Sequence, residues 1–555
     1  MPVKAVYPDV VIPDEDLWTY QFEQKSKPFA EDREIYIDPD TGRSYTWAQT
    51  KATALEFGRG LRAAWGFQKG DVLGFFSNNT IDFAPAFFGV LWCGGAAMTA
   101  NPAYTATELA FQLKDSGSRG IITQAAFLPI ATAAAKEAGI PLDRIILMGD
   151  GRDQQFKHFT SIRDTANKIS PSSRARLDPK KDLAFLVYSS GTTGLPKGVM
   201  LTHTNVVANL VQLLDLDGKY NGLHHTGEPD GKGDKQLAIL PFFHIYGLTC
   251  IALQGLKMGL QVVVMPKFDL ERTCQIIQKH QITYMCIPPP IVLALAKHPL
   301  VDKYDLSSVK WLNSGAAPLG KELVEMVWQR LKIPVMQGYG LSETSPTLTK
   351  GAVADWAKYN GSCGKLLPNI LAKIVDMDGN ELAQGEEGEL WVKGPNVFPG
   401  YLNRPELAAD TFSKDGYFRT GDIGYYDKKG NFYITDRLKE LIKYKGFQVP
   451  PAELEAKLLG NPQIDDACVI PAHDRERETE VPRAYVVLKP GTEKSDAKAR
   501  EIQEWLDAQV AEHKKLRGGV RFVDEIPKNA SGKLLRRVVR EMARKEDRVE
   551  QGAKL

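Results

Sequence analysis

The stretch Leu183–His203 reads LAFLVYSSGTTGLPKGVMLTH, and the interpretation of the remaining sequence depends on it. Its first part, Leu183–Tyr188, is a short apolar run typical of a buried strand. The segment that follows is rich in glycine and hydroxyl side chains, and the whole stretch contains no carboxylate. Glycines let the backbone approach a ligand closely, while hydroxyl and ammonium groups donate hydrogen bonds to anionic oxygens. The stretch therefore predicts a phosphate-binding loop.

The residues predicted to bind phosphate are small or polar, namely Ser189, Ser190, Gly191, Thr192, Thr193, Gly194 and Lys197. The alternative is an ordinary polar turn between a strand and a helix, without a ligand. The motif differs from the GxxxxGK[ST] loop, because Gly198 follows Lys197 and the glycines are spaced differently. This difference argues against a kinase or a GTPase.

The segment SSGTTGLPKG resembles the signature of the adenylate-forming superfamily, which includes acyl- and aryl-CoA ligases, peptide-synthetase adenylation domains and beetle luciferases. The longer segment YSSGTTGLPKGVMLTH resembles the 4-coumarate–CoA ligase branch most. The resemblance implies a ligase that uses ATP and Mg²⁺ to activate a carboxylic acid as an acyl adenylate, and then transfers the acyl group to CoA. It also implies a small C-terminal domain that moves between the two steps.

The alternation of predicted strands and helices indicates an α/β fold with parallel βαβ units. We expect an N-terminal domain over residues 1–435, made of two βα sandwich subdomains (about 1–180 and 181–350) and a small β-barrel-like subdomain (351–435). A small mobile α+β lid domain is expected over residues 436–555. Predicted helices include Trp47–Trp65, Asn205–Leu216 and Asp496–Lys515.

Composition narrows the functional class. The 555 residues carry a net charge of +2, which argues against a nucleic-acid-binding protein. The six cysteines show no CxxC spacing and are expected to be buried free thiols. Phe83–Ala100 has no charged residue, but its Pro and Gly residues favour a buried helix that runs into a loop over a membrane span.

Leu312–Leu319 reads LNSGAAPL, and its small side chains would let a flat ring lie against the backbone. By itself the motif is also compatible with a plain turn. The resemblance implies that Gly315, Ala316 and Ala317 line the adenine and acyl pockets.

Gln337–Pro346 reads QGYGLSETSP and places a carboxylate, Glu343, beside a hydroxyl. A carboxylate near a phosphate loop suits a Mg²⁺ ligand, although a helix-capping role is the alternative. The resemblance implies that Tyr339 stacks on adenine, that Ser342 contacts the α-phosphate and that Glu343 holds Mg²⁺. Gln337 and Gly338 are predicted to belong to the same nucleotide site.

Pro241–Gly247 reads PFFHIYG and holds a single histidine, His244, among aromatic residues. Such a histidine is commonly a packed core residue, but the resemblance implies that His244 lies at the entrance of the acyl site and takes part in catalysis without acting as a general base. The predicted pocket for the acid is formed by Phe243, Tyr246, Gly338, Ser345, Pro346 and Thr347.

Tyr417–Asp422 reads YFRTGD, and Ile434–Gln448 reads ITDRLKELIKYKGFQ. Asp422 can accept hydrogen bonds from both ribose hydroxyls, and Arg437 can donate to the same sugar. The resemblance supports this pair, implies a hinge near Asp436 and assigns Lys443 to thioester formation. It also places Lys445, Gly446 and Gln448 in the nucleotide-binding set.

Pro527–Arg537 reads PKNASGKLLRR. Lys533 could be an ordinary solvated lysine, but the resemblance implies that it bridges the acyl carboxylate and the α-phosphate during adenylation. Gly388–Gly394 reads GELWVKG where plant 4-coumarate ligases have GEICIRG, so the acid stays open among aryl-propenoates, arylacetates and medium-chain fatty acids. A luciferase-like oxygenase and a non-catalytic acyl or nucleotide sensor are the alternative functions.

The last residues, Ala553-Lys554-Leu555, resemble the peroxisomal targeting tripeptide SKL. The sequence therefore predicts binding to the peroxisomal import receptor and a peroxisomal location, with the cytoplasm as the alternative. The other expected partners are a small carboxylic acid and CoA.

Overall fold

The computed structural model describes residues 2–24, 27–189, 196–226, 231, 233–444, 447–474, 479–529 and 532–552, and the side chains of the last five of these lie outside the description. Three sheets of seven, nine and five strands make up the N-terminal part, and sheets of two and three strands follow in the C-terminal part. The fold is mixed α/β, as predicted, with a large N-terminal domain and a smaller C-terminal one.

The seven-stranded sheet is parallel except at one edge, where its first two strands pair antiparallel. In spatial order its strands are Lys197–Thr202, Leu183–Ser189, Ala96–Ala100, Val72–Phe76, Ser118–Thr123, Ile145–Leu147 and Lys157–His158. This sheet extends past the expected subdomain boundary near residue 180. Strand Lys197–Thr202 was not predicted from the sequence.

The nine-stranded sheet is parallel in its centre and antiparallel at both ends. Its strands, in spatial order, are Lys365–Leu366, Thr347–Lys350, Val335–Gly340, Trp311–Ser314, Tyr284–Ile287, Lys235–Ala238, Gln261–Val264, Glu34–Ile37 and Ser44–Thr46. The two large sheets are joined by Asn79, whose amide donates to the Leu240 carbonyl (2.9 Å) and accepts from the Phe242 amide (2.7 Å). The rings of Phe83 and Phe242 also pack across this junction, 5.9 Å apart.

The region 351–435, expected to form the small subdomain, contributes most of a five-stranded antiparallel sheet. Its strands are Val3–Lys4, Leu371–Val375, Gly388–Lys393, Phe418–Tyr426 and Phe432–Arg437. The smaller C-terminal unit contains the hairpin Ile442–Tyr444 and Phe447–Val449, and the sheet Ile464–Asp474, Thr479–Leu488 and Val520–Phe522. The predicted domain break at residue 436 falls within the last strand of the five-stranded sheet. The domain bounds 1–435 and 436–555 stay predictions.

The helices cover the faces of these sheets. The α-helices are Leu17–Phe22, Trp47–Trp65, Phe83–Trp92, Ala106–Asp115, Leu128–Ala138, Phe159–Arg163, His203–Lys219, Ile245–Gly247, Gln254–Met258, Leu270–His280, Pro289–Lys297, Lys321–Leu331, Ala408–Thr411, Pro451–Leu459, Asp496–Asp507 and Arg536–Gly552, and Leu248–Leu253 is a π-helix. Helix Trp47–Trp65 begins at a capping box formed by Thr46 and Gln49 and has the predicted bounds.

Two predicted elements differ from the structure. The segment after helix Phe83–Trp92 forms strand Ala96–Ala100, where a loop was predicted. Gly94 makes this turn possible with a φ of +80°, a conformation that costs glycine little. The predicted helix Asp496–Lys515 ends at Asp507 instead, where the Asp507 carboxylate accepts the amide of the buried Leu516 (2.8 Å).

Within the part of the chain that the structure describes, no helix is both long and apolar enough to span a lipid bilayer. All six cysteines are buried free thiols, as predicted. The C-terminal unit is tied to the N-terminal domain by Lys297, whose ammonium donates to the carbonyls of Leu459 (3.1 Å) and Ile464 (3.0 Å).

The buried Lys350–Asp217 ion pair joins strand Thr347–Lys350 of the nine-stranded sheet to helix His203–Lys219. Its two N–O distances are 2.7 and 2.6 Å, and the side chains are 3% and 0% exposed. Asn221 and Gln254 donate the remaining hydrogen bonds to the same carboxylate. Burial alone would lower the pKa of Lys350, but the Asp217 carboxylate raises it above its ordinary value.

We predict that Lys350→Met lowers the free energy of unfolding by about 3–5 kcal/mol, because the buried Asp217 charge loses its partner. Denaturant unfolding followed by tryptophan fluorescence measures the change. Lys365→Met is the matched control, since Lys365 is the cross-strand neighbour of Lys350 and pairs with Asp355 at a more exposed site. Its cost should be about 0–1 kcal/mol. Equal losses in both variants would contradict the prediction.

Candidate functional site

A large cleft lies at the carboxyl ends of the central parallel strands, beside the C-terminal unit. Its volume is about 1050 Å³. Ligands of open parallel α/β sheets bind at this edge. The cleft wall includes these residues predicted from the sequence: Ser189, Lys197, Phe243, His244, Tyr246, Gly315, Ala316, Gly338, Tyr339, Ser342, Glu343, Pro346, Thr347, Asp422, Arg437 and Lys533.

The two flanks of the predicted phosphate loop reach the cleft together. Ser189 and Lys197 are cross-strand partners at the end of an antiparallel pair. The Lys197 ammonium lies 5.2 Å from the centre of the Tyr401 ring. The loop residues Ser190, Gly191, Thr192, Thr193 and Gly194 lie outside the described residues, and their predicted role stays a prediction.

Glu343 is buried next to these flanks, with 7% of its surface exposed. Its Oε1 accepts hydrogen bonds from the Tyr401 hydroxyl (2.9 Å) and the Ser189 hydroxyl (3.4 Å). Over the described residues, no group of three or more His, Cys, Asp or Glu side chains could hold a metal ion. A Mg²⁺ ion fits Glu343 only together with oxygens of a bound phosphate, which is a common way for proteins to hold Mg²⁺.

Tyr339, Asp422 and Arg437 form one hydrogen-bonded group. The Tyr339 hydroxyl donates to Asp422 Oδ2 (2.7 Å), and Arg437 Nε lies 3.1 Å from Asp422 Oδ1. Asp422 is 3% exposed. Burial, followed by the Asp422 charge, raises the pKa of Tyr339 well above its ordinary value, so the phenol stays protonated. A carboxylate can accept more than two hydrogen bonds, so Asp422 retains capacity for sugar hydroxyls.

Three small residues, Gly315, Ala316 and Gly340, form a shelf between the Tyr339–Asp422–Arg437 group and the acid pocket, here called the glycine shelf. A Cβ at Gly340 would lie 1.9 Å from the Pro346 carbonyl oxygen, and one at Gly315 would lie 3.1 Å from the Tyr246 ring. Ala316 has a φ of +71°, which is uncommon for a residue with a side chain. The shelf therefore presents backbone to the cleft, as a flat ring requires.

Aromatic side chains enclose the branch of the cleft predicted to hold the acid. Asn313 donates from Nδ2 to the Tyr246 hydroxyl (2.7 Å), which in turn donates to the Asn313 carbonyl (3.1 Å), so the Tyr246 ring is fixed in place. Burial and then the Lys533 charge lower the pKa of His244 to about 4. His244 is therefore neutral at pH 7, consistent with a role other than carrying charge.

Lys533 enters the cleft from the C-terminal unit. Its backbone amide donates to Asn529 Oδ1 (2.9 Å), and the adjacent Gly532 lies against Pro288 of the N-terminal domain, where a Cβ would be 3.1 Å from that proline. Burial, and then the Arg437 charge, lower the pKa of Lys533 to about 8. Lys533 is thus not a freely solvated lysine.

Several predicted residues lie elsewhere. Lys443 is exposed on the hairpin of the C-terminal unit and does not line the cleft. Gln448 lines a separate cavity of about 590 Å³ at the junction of the two domains. Ser345 is fully buried, and its hydroxyl donates to the Asn396 carbonyl (2.9 Å). Ala317 and Gln337 flank the cleft without lining it, and Lys445 and Gly446 lie outside the described residues.

Three cleft residues were not found from the sequence. Tyr401 donates a hydrogen bond to Glu343, and Asn313 fixes Tyr246. The buried Asn313 Oδ1 has no hydrogen-bond partner in the described part of the chain. Arg419 lines the cleft on the strand that carries Asp422. Arg419 lies in the YFRTGD motif close to Asp422, and this closeness was the signal that could have identified it. The sequence around Tyr401 contains no such signal.

Comparisons with known proteins were made with both the sequence and the fold. The model of the AMP-binding enzyme family matches residues 22–402, and that of the AMP-binding enzyme C-terminal domain matches residues 453–533. The chain is 40% identical over 545 residues to 4-coumarate–CoA ligase 1 of Petroselinum crispum (97% of this chain, 96% of the relative). It is 38% identical over 551 residues to the probable 4-coumarate–CoA ligase 1 of Dictyostelium discoideum (96% of each).

Among solved structures, ATP-bound MatB from Rhodopseudomonas palustris is similar, with a TM-score of 0.82 and 27% identity. The alignment covers 95% of this chain and 98% of that one. The similarity therefore includes both the N-terminal and the C-terminal parts.

We predict that Lys533 becomes reactive toward an amine-acylating reagent with a midpoint near pH 8. The neutral amine is the reactive form, and its fraction rises as the pH passes the lowered pKa. Competitive labelling with acetic anhydride, read by peptide mass spectrometry, measures the midpoint. Lys219 is the control, because its ion pair with Asp215 raises its pKa above the ordinary lysine value. A Lys533 midpoint equal to or above that of Lys219 would contradict the structure.

Proposed function

Because the chain belongs to the AMP-binding enzyme family, we propose that it is an ATP-dependent carboxylic acid–CoA ligase that works through an acyl adenylate. The arrangement of the cleft is the observation that carries this proposal. Lys197, Glu343, the Tyr339–Asp422–Arg437 group and Lys533 converge on one cavity beside a pocket walled by aromatic side chains.

In the first step the acid's carboxylate attacks the α-phosphorus of ATP and pyrophosphate leaves. A carboxylate and a triphosphate repel each other, so the site must supply positive charge where they meet. Lys197 and Lys533 line the cleft, and neither forms an ion pair with a carboxylate among the described residues, so we propose that they supply this charge. In a cleft from which water is excluded, such charges stabilise the transition state by several kcal/mol. A Mg²⁺ ion on Glu343 would add charge at the phosphates.

The nucleotide is proposed to lie along the glycine shelf, with adenine against Tyr339 and the ribose hydroxyls on Asp422 and Arg437. Asp422 is already oriented by two donors, so binding requires little reorganisation. The acid then occupies the branch walled by Phe243 and Tyr246.

In the second step the CoA thiol attacks the acyl carbon and AMP leaves. Lys533 occupies the cleft in the present orientation, while Lys443 is exposed on the hairpin of the C-terminal unit and lies outside the cleft wall. We propose that the C-terminal unit rotates near Asp436, withdrawing Lys533 and bringing the Lys443 face to the cleft. A hinged unit of this kind resolves the conflict between two catalytic arrangements at one site.

The proposed acid has one carboxylate and an apolar or aryl body. The acid pocket is lined by Leu213, Cys250 and Thr347, and the lysine that reaches it, Lys350, is neutralised by Asp217. Lys350 is therefore not free to pair with a second carboxylate. A peroxisomal location is proposed from the tripeptide Ala553-Lys554-Leu555, which lies outside the described residues.

We predict that the purified protein forms AMP from ATP when supplied with Mg²⁺, CoA and a suitable monocarboxylic acid. A panel of aryl-propenoates, arylacetates and medium-chain fatty acids, with dicarboxylates of matched length as controls, tests the proposal by AMP and thioester detection. Dicarboxylates should react poorly. ATP and acid binding without AMP formation would favour a sensor, and light emission with luciferin would favour an oxygenase.

We predict that Lys533→Ala and Lys443→Ala affect opposite half-reactions. Lys533→Ala should lower pyrophosphate release by about 100-fold or more, since one charge in a closed site contributes several kcal/mol. It should largely spare thioester formation from a supplied acyl adenylate. Lys443→Ala should show the reverse pattern. Equal loss of both half-reactions in either variant would contradict the proposed rotation.

A further inference from the structure

We propose that Arg419 binds a phosphate chain of a nucleotide cosubstrate, either the phosphates of ATP beyond the α-phosphate or the phosphates of CoA. This inference rests on the proposed function, because it assigns a further residue to the same cleft.

Arg419 has no carboxylate partner within the part of the chain that the structure describes. Among the described residues, its buried Nε finds no hydrogen-bond acceptor and its guanidinium forms no ion pair with a carboxylate. A guanidinium is always charged and carries five N–H donors, so leaving it unpaired is unfavourable unless a ligand completes the site.

Two other cations of the cleft wall, Arg437 and Lys528, have carboxylate partners. Arg437 pairs with Asp422 at 3.1 Å, and Lys528 pairs with Asp466 at 2.6 Å. Arg419 differs from these two because its charge is uncommitted while its side chain lines the cleft.

The Arg419 side chain is held in a defined position. Its guanidinium lies over the indole of its cross-strand partner Trp391, 4.8 Å from the ring centre. Glu389 fixes that indole by accepting its N–H (2.9 Å), and the other Glu389 oxygen accepts the Gly421 amide (3.0 Å). The nearby carboxylate is thus engaged by two donors other than Arg419. An indole face positions a guanidinium without neutralising it.

The chemistry of the ligand follows from this arrangement. A planar guanidinium presents paired donors that match the spacing of phosphate oxygens. Arg419 precedes Asp422 on strand Phe418–Tyr426, and both side chains line the cleft that is proposed to hold the nucleotide. A phosphate chain is therefore the anion that fits.

Isothermal titration calorimetry tests the proposal without turnover, with ATP, AMP, CoA and dephospho-CoA titrated separately into wild type, Arg419→Gln and Arg419→Lys. If Arg419 binds ATP, Arg419→Gln should weaken ATP binding by about 10- to 100-fold and leave AMP binding within about twofold, as expected for loss of charged hydrogen bonds. If it binds CoA, the loss should fall on CoA instead. Equal weakening of CoA and dephospho-CoA then points to the diphosphate, and weakening of CoA alone to the 3′-phosphate. Arg419→Lys should restore part of the affinity.

Arg144→Gln is the matched control, because Arg144 also lies over an indole, that of Trp65 (5.0 Å), but outside the cleft. It should lower the thermal midpoint without changing any of the four affinities. The proposal is overturned if Arg419→Gln binds ATP and CoA as wild type does, or if AMP binding falls as much as ATP binding. If the acid panel yields no AMP, the ligase function is contradicted. The affinity differences measured by calorimetry would still decide whether Arg419 binds a phosphate chain.

Discussion

The structure depends on one constraint: the negative charges of two anions must be compensated at the point where these anions meet. A carboxylate and a nucleotide phosphate repel each other, and a protein brings them together only by placing cations at the point of contact. The cleft supplies one lysine, Lys197, from the large domain and another, Lys533, from the small one. Burial, followed by the charge of Arg437, lowers the pKa of Lys533.

The large domain provides the rigid part of this arrangement. The parallel strands end at one edge, and buried pairs such as Lys350–Asp217 lie beneath it. The small domain has its own fixed core: Arg536 contacts Glu440 and Glu455, and burial raises the pKa of Glu455 to about 7 despite that partner. These contacts hold the segment that carries Lys533 against the rest of the C-terminal unit.

The sequence predicted those parts of this arrangement that depend on neighbouring or periodically spaced residues, and it missed parts that depend on distant contacts. Short motifs identified Tyr339, Glu343, Asp422 and Arg437, because each motif carries its chemistry in adjacent residues. The periodicity of apolar residues predicted helix Trp47–Trp65 because its buried face repeats along the helix. Strand Ala96–Ala100 was missed because its extended conformation depends on burial within a sheet. The preceding Gly94 did not help, because a glycine is equally typical of a loop. Asn313 was missed because it acts on Tyr246, which is distant in sequence. Arg419 was missed because its contact with Trp391 and its place in the cleft wall appear only in the fold.

The central claim is that the acid's carboxylate is joined to the α-phosphorus of ATP before CoA takes the acyl group. Mass spectrometry of the AMP formed from an acid substrate labelled with ¹⁸O in both carboxylate oxygens tests it most directly. The account predicts that one ¹⁸O atom appears in AMP and the other stays in the thioester. AMP without ¹⁸O, or label found in pyrophosphate, would contradict the account.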